Sequence, residues 1–386
     1  MALSIYLLVT AFGPLVIGPL SEVYGRKPIL HGSNFWFLVW NIVCGFAKSK
    51  EMLITAPFLA GFGASANYAL AKGVLGDVCR PEQRGRLLGV YLLIPLLFAA
   101  MSWATSVFQA VMILVSFSLF HETYTPLILR KRAERLRHDT GDLQYETADE
   151  RLRANRFSSM VLGRALIRPL RLLVFHSIIQ ITSVLSAFYY GILYIVLSTF
   201  SDLWIDQYKQ SIDLSGLRYI ACALGEVIGS QIEATFMVLS YWRMRSRLNG
   251  EPAPESRIPL VLPGSVLRLS SLFLYEWAAE KRLHWAVVDV GIFLNMLGMQ
   301  INGMPPQACV MEAYSDHISS AMAATQLMCG LTAFLFPLFG PRMYQVFGYG
   351  WGNRTIAFIG LAFSIPAPLV IMVFGVKLRA KVQSSY

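Results

Sequence analysis

Gly18-Pro-Leu-Ser-Glu22-Val-Tyr-Gly25-Arg26-Lys27-Pro-Ile-Leu30 decides the fold. An apolar run that begins near residue 3 ends here, and within six positions the chain places an acid, a glycine and two cations before a second apolar run starts at residue 31. Isolated charges at the end of a hydrophobic stretch are ordinary. A compact cluster of opposite charges between two membrane-length stretches requires a structural purpose.

The surrounding composition defines the setting. The chain has 386 residues, of which 55% are hydrophobic and 15% charged, with a mean hydropathy of +0.52. Soluble domains carry about 25% charge. Apolar segments fall at about 3–21, 31–47, 52–72, 86–120, 172–200, 215–239, 258–279, 285–308, 318–340 and 352–376, most of them long enough to cross a bilayer as a helix. They are continuous rather than alternating, which favours helices over a barrel. The expectation is an all-α polytopic membrane protein. The net charge of +10 gathers in the short gaps between apolar runs, as in cytoplasmic loops, and this placement argues against nucleic acid as a partner; the lipid bilayer is the expected one. None of the five cysteines forms a C-x-x-C pair, so neither a metal site nor a disulfide framework is indicated, and no cofactor is expected. The first segment lacks a basic lead-in and a small-residue cleavage site and reads as a retained span.

Between the fourth and fifth apolar segments lies a polar stretch of alternating charge that suggests a surface amphipathic helix. It divides the chain into an N-terminal bundle (1–120), a cytoplasmic linker (121–169) and a C-terminal six-helix bundle (170–386), the layout of a two-bundle transporter. Segment 86–120 is anomalous: as one helix it would be about 50 Å long, too long for one crossing and cramped for two. A hairpin of shortened spans gives about 10–11 crossings, with the basic clusters on one side.

The opening stretch resembles the signature loop of the major facilitator superfamily, G-x-L-[AS]-[DE]-x-x-G-R-[KR]. In that reading Gly18 permits close packing, and Glu22 contacts a neighbouring helix terminus or an arginine. Gly25 turns the chain, and Arg26 and Lys27 hold the loop in the cytoplasm. The stretch containing Asp77, Glu82, Arg84, Gly85 and Arg86 is similar to the loop that pairs with the signature loop in fungal drug:proton antiporters of the multidrug or polyamine type. Further stretches resemble the seventh, ninth, eleventh and twelfth helices of that subgroup. The resemblance implies two helical bundles, no enzymatic activity, and proton-coupled export of drugs or fungal metabolites by alternating access, from a monomer in the plasma membrane.

Four departures qualify it. The family's first helix and the glycine-rich motif of its fifth helix are missing, Pro57 stands where an arginine is expected, and Cys329 stands where related chains have another arginine. These features raise an alternative, a truncated and transport-inactive remnant. A membrane acyltransferase would need a histidine–acid cluster that the sequence lacks.

Polar groups inside spans often mark a pathway. Asn67, Tyr68, Gln180, Tyr189, Tyr190, Asn295 and Gln300 are candidates for either interhelical bonding or substrate contact. Glu226, a carboxylate within a span, is the candidate proton carrier. Lys72 is expected to extend to the cytoplasmic surface, and Glu312, at the end of the tenth helix, to make a gating contact.

Overall fold

The computed structural model describes residues 2–47, 49–78, 102–141, 145–147, 158–248 and 253–383. Among them there are helices and no strands, and seven stretches are long and apolar enough to cross a membrane. The chain forms two compact units.

Unit 1 holds α1 (Ala2–Tyr24), α2 (Arg26–Gly45), α3 (Lys50–Val78), α4 (Ser102–Leu119), α5 (Thr125–Thr140) and α6 (Ser158–Phe175). It also takes in residues 316–327 from the far end of the sequence. α3 is its centre, packing on α1 and α2. Small residues allow this: Ala56, Ala60 and Ala64 repeat at four-residue spacing and are buried. A methyl group on Gly61 would lie 3.1 Å from the Tyr6 carbonyl of α1. Without a hydrophobic force between helices in lipid, such close backbone approach supplies the packing energy.

Unit 2 holds α7 (Ser177–Asp202), which runs on into a π-helical turn (Leu203–Gln207), and α8 (Ile212–Leu248). A 3₁₀ turn (Pro254–Leu260) then leads into α9 (Val261–Glu280) and α10 (Trp285–Ala313). Beyond residue 327, α11 (Ile318–Ser364) and α12 (Pro366–Gln383) also belong to it. α10 packs on both α8 and α9, around a core that includes Phe200, Trp204, Leu272, Tyr275, Ile292 and Met296. Leu214, Leu217, Ile220, Leu224 and Ile228 line an outward apolar face of α8, as a lipid-facing helix requires. The expected segments 318–340 and 352–376 correspond to two stretches long and apolar enough to cross a membrane, Ile318–Tyr344 and Arg354–Gly375. α11 bends at Gly348, whose φ of 71° and ψ of 169° suit glycine alone, and a second break precedes Pro366.

Candidate functional site

The charged cluster quoted at the outset folds into a clasp within unit 1. Gly25, with φ 98° and ψ 162°, makes the sharp joint between α1 and α2. The Arg26 side chain does not reach for solvent: it is 2% exposed. Its Nε donates to Asp77 Oδ2 at 2.9 Å and its Nη2 to Oδ1 at 3.4 Å, while Nη1 donates to Ser21 Oγ at 2.9 Å and to Ser319 Oγ. The Tyr124 ring centroid lies 5.4 Å from the guanidinium carbon. Arg26 is therefore a buried, four-way hydrogen-bond donor. Burial pushes the Asp77 carboxyl above the usual carboxylate range, against the opposing pull of Arg26.

Glu22, 3% exposed, makes the second half of the clasp. Its Oε1 accepts from the backbone N–H of Ser320 at 3.0 Å. Its Oε2 accepts from Ser320 Oγ at 2.8 Å and from Arg168 Nη1 at 2.9 Å. Ser320 lies in the first turn of α11, where unpaired N–H groups and the helix dipole favour an anion. Gly18 makes room for this arrangement: a methyl group there would stand 3.1 Å from the Ser319 carbonyl. A third acid that the sequence reading passed over, Glu122, accepts from the first two N–H groups of α2, Arg26 at 2.9 Å and Lys27 at 3.0 Å. It also accepts from the N–H groups of Thr123 and Tyr124, and so caps the start of α2 while holding the turn that leads into α5. Glu82, Arg84, Gly85 and Arg86 lie outside the described residues.

Unit 2 contains a comparable pair. Arg257, also 2% exposed, donates from Nη2 to Glu312 Oε1 at 2.6 Å, with the Tyr241 ring 5.4 Å away.

The pathway candidates separate. Tyr189 and Asn295 are brought together by a residue that the sequence reading missed, the buried Arg268. Its Nη2 donates to the Tyr189 carbonyl at 2.8 Å, and its own carbonyl accepts from Asn295 Nδ2 at 3.4 Å. Tyr189 Oη and Ser265 Oγ share a hydrogen bond at 2.9 Å. Arg268 Nε and Nη1 find no partner among the described residues. Gln180 lines a different cavity of about 340 Å³, with Phe363 and Pro366. Glu226, Tyr190 and Gln300 are half-buried, with Glu226 and Gln300 on the packed pair α8 and α10. In unit 1, Tyr68 is half-buried and Asn67 is exposed. Lys72 is buried rather than extended to the surface, which corrects the expectation for it. No group of three or more metal-ligating side chains occurs among the described residues.

Long apolar helices in both units, with buried charge clusters inside each, are those of a multi-pass membrane protein. The comparisons place it more narrowly. The chain belongs to the Major Facilitator Superfamily, whose profile matches residues 1–337. It is 49% identical to the probable efflux pump mfs2 of Aspergillus flavus, over 100% of this chain and 95% of that protein. It is 34% identical to the efflux pump vrtL of Penicillium aethiopicum, over 98% of this chain and 78% of that protein. Among solved structures, the human organic anion transporter MFSD10 is similar with a TM-score of 0.68 at 16% identity, covering 94% of this chain and 82% of that one. The proton:xylose symporter XylE follows at 0.65 and 14%, over 97% and 85%. The structural likenesses establish the fold alone.

Proposed function

We propose that this transporter exports small organic molecules, drugs or fungal metabolites, across the plasma membrane as a monomer, driven by protons moving the other way. The sequence halves 1–120 and 170–386, with 121–169 as a cytoplasmic linker, serve as the bundles of an alternating-access cycle. The observation that carries this reading is the seat of Glu22 on the first turn of α11. It ties a loop of the first half to a helix of the second through contacts that can be broken and remade. Arg26, Asp77 and Arg168 hold it closed, and Lys27, Glu82, Arg84, Gly85 and Arg86 complete the same loop pair. Tyr189, Asn295 and Glu226 belong to the pathway in unit 2, with Gln180, Tyr190 and Gln300. Asn67 and Tyr68 belong to it in unit 1. The likeness to mfs2 over the whole chain supports export, and the alternative of an inactive remnant is not favoured.

The test is movement of rhodamine 6G in proteoliposomes under an imposed pH gradient. Dye should accumulate against its gradient only when the pH gradient opposes it. Accumulation indifferent to pH would remove the coupling, and no transport in either condition would return the remnant reading.

A further inference from the structure

Glu233 sits on α8 seven positions beyond Glu226, two helical turns along the same face and about 10 Å away. It is 1% exposed, and its Oε1 is sealed from solvent with no hydrogen-bond partner among the described residues. It lies between Glu226 and the basic run Arg243, Arg245, Arg247 that marks the end of α8. Among the described residues, the two elements packed on α8 here contribute Arg257 and Glu255 from the 3₁₀ turn, and Glu312 from the last turn of α10. Arg257 is the cation that acts on Glu233, and its Nη2 is already engaged by Glu312 at 2.6 Å.

An ionised carboxylate inside a span, with an oxygen bonded to nothing, is among the most expensive arrangements a membrane protein can hold. A carboxyl group escapes that cost by keeping its proton. We propose that Glu233 is a proton-binding site of the transport cycle, loaded while Arg257 is held by Glu312 and discharged when Arg257 turns to Glu233. The inference rests on the proton-coupled reading above and assigns a residue to its proton.

The exchange balances. On discharge the Glu233 O–H bond breaks and the proton passes to cytoplasmic water. The carboxylate then accepts an Arg257 N–H in its place. Glu312, whose side chain is 11% exposed at the end of its helix, can take water for the bond it gives up; Glu233 cannot. Loading reverses these steps. Glu226, on the same helix face, supplies a second station deeper in the span.

Infrared difference spectroscopy of the full chain in lipid nanodiscs, stepped through neutral pH, reads the carboxylic-acid C=O stretch directly and needs no substrate. The wild type should show such a band, and Glu233→Gln should remove its Glu233 component. Glu312→Gln frees Arg257 to pair with Glu233, so the same band should give way to carboxylate although Glu233 is still present. This second variant also carries the test if Glu233→Gln folds poorly. A wild-type spectrum from which Glu233→Gln removes nothing overturns the proposal, as does a band that Glu312→Gln leaves unchanged. In proteoliposomes, Glu233→Gln should lose the gradient-dependent part of rhodamine 6G accumulation; retaining it overturns the proposal. A wild type that moves no dye yet shows the Glu233 band supports the proton site and counts against the export reading alone.

Discussion

Two arginines in this molecule are built alike and partnered differently. Arg26 in unit 1 and Arg257 in unit 2 are each 2% exposed, and each lies with its guanidinium carbon 5.4 Å from a tyrosine ring. Each donates to an acid one residue from the end of a long helix, Asp77 in α3 and Glu312 in α10. Around Arg26 the remaining donors are taken by Ser21 and Ser319, while the neighbouring acids Glu22 and Glu122 have partners of their own. Around Arg257 stands Glu233, an acid with an oxygen that has no partner among the described residues. A hydrogen-bonded cluster of the first kind is a lock, because every member loses a partner when it opens. The second is the arrangement in which proton exchange is proposed above. The same pair of residue types therefore serves two purposes, set by what surrounds it.

The sharpest way to break this comparison is to remove each arginine. Arg26→Ala leaves Asp77 in a largely buried site without its cation. Breaking a buried pair from one side costs about 3–5 kcal/mol, so the variant should lose most of its folded yield or show a large drop in thermal midpoint in detergent. Arg257→Ala should cost about 1–3 kcal/mol, because Glu312 can turn to water and Glu233 can stay protonated. Equal losses in the two variants would erase the distinction between a lock and an exchange site.

The backbone offers a second comparison. Gly25 and Gly348 both adopt a positive φ with extended ψ, a region that costs other residues about 1–3 kcal/mol. A methyl group at Gly348 would meet nothing within 4 Å. One at Gly25 would lie 2.5 Å from Leu127 Cδ2 and 2.7 Å from Glu122 Oε2. Glu122 cannot move away freely, since its carboxylate holds the first N–H groups of α2. Gly25→Ala should therefore lower the unfolding midpoint further than Gly348→Ala, and a reversed order would mean that the α1–α2 joint is slacker than its contacts indicate.

What the sequence disclosed follows from how the contacts are distributed along it. The clasp was legible at Glu22, Gly25 and Arg26 because a thirteen-residue stretch concentrates unusual chemistry. Its partners were not. Arg168, Ser319 and Ser320 are ordinary residues brought in from 146 to 298 positions away, and no local pattern marks them. Glu122 was hidden for the same reason: a capping acid is recognised by the N–H groups that it meets, and those belong to a helix nearly a hundred residues earlier. In unit 2 the search for polar residues within spans found Glu226 but passed over Glu233 and Arg268, because hydropathy averages cannot tell an acid facing water from one facing a sealed interior. The helices themselves were easier to place. Their apolar content is local, and only the Gly348 bend between the two expected spans depended on a single residue's backbone.

The smallest expected effect on stability separates stability from transport most cleanly. Glu22→Gln keeps the shape of the side chain and can still accept from the Ser320 N–H. What it loses is the charge, which interacts with the first turn of α11 and with Arg168. An anion at a partly buried helix start is worth about 0.3–2 kcal/mol, so the thermal midpoint should fall only slightly. If the clasp is a lock that opens and closes during the cycle, the same substitution weakens one state relative to the other. A difference of about 1.4 kcal/mol is already tenfold in that equilibrium. Transport should therefore change several-fold while the fold barely notices. Glu22→Asp, which keeps the charge but shortens the reach to Ser320, should fall between wild type and Glu22→Gln in transport. If Glu22→Gln instead left transport untouched and lowered stability as much as Arg26→Ala, the clasp would be packing rather than a switch, and the contrast between the two arginines would reduce to a difference in how many hydrogen bonds each one makes.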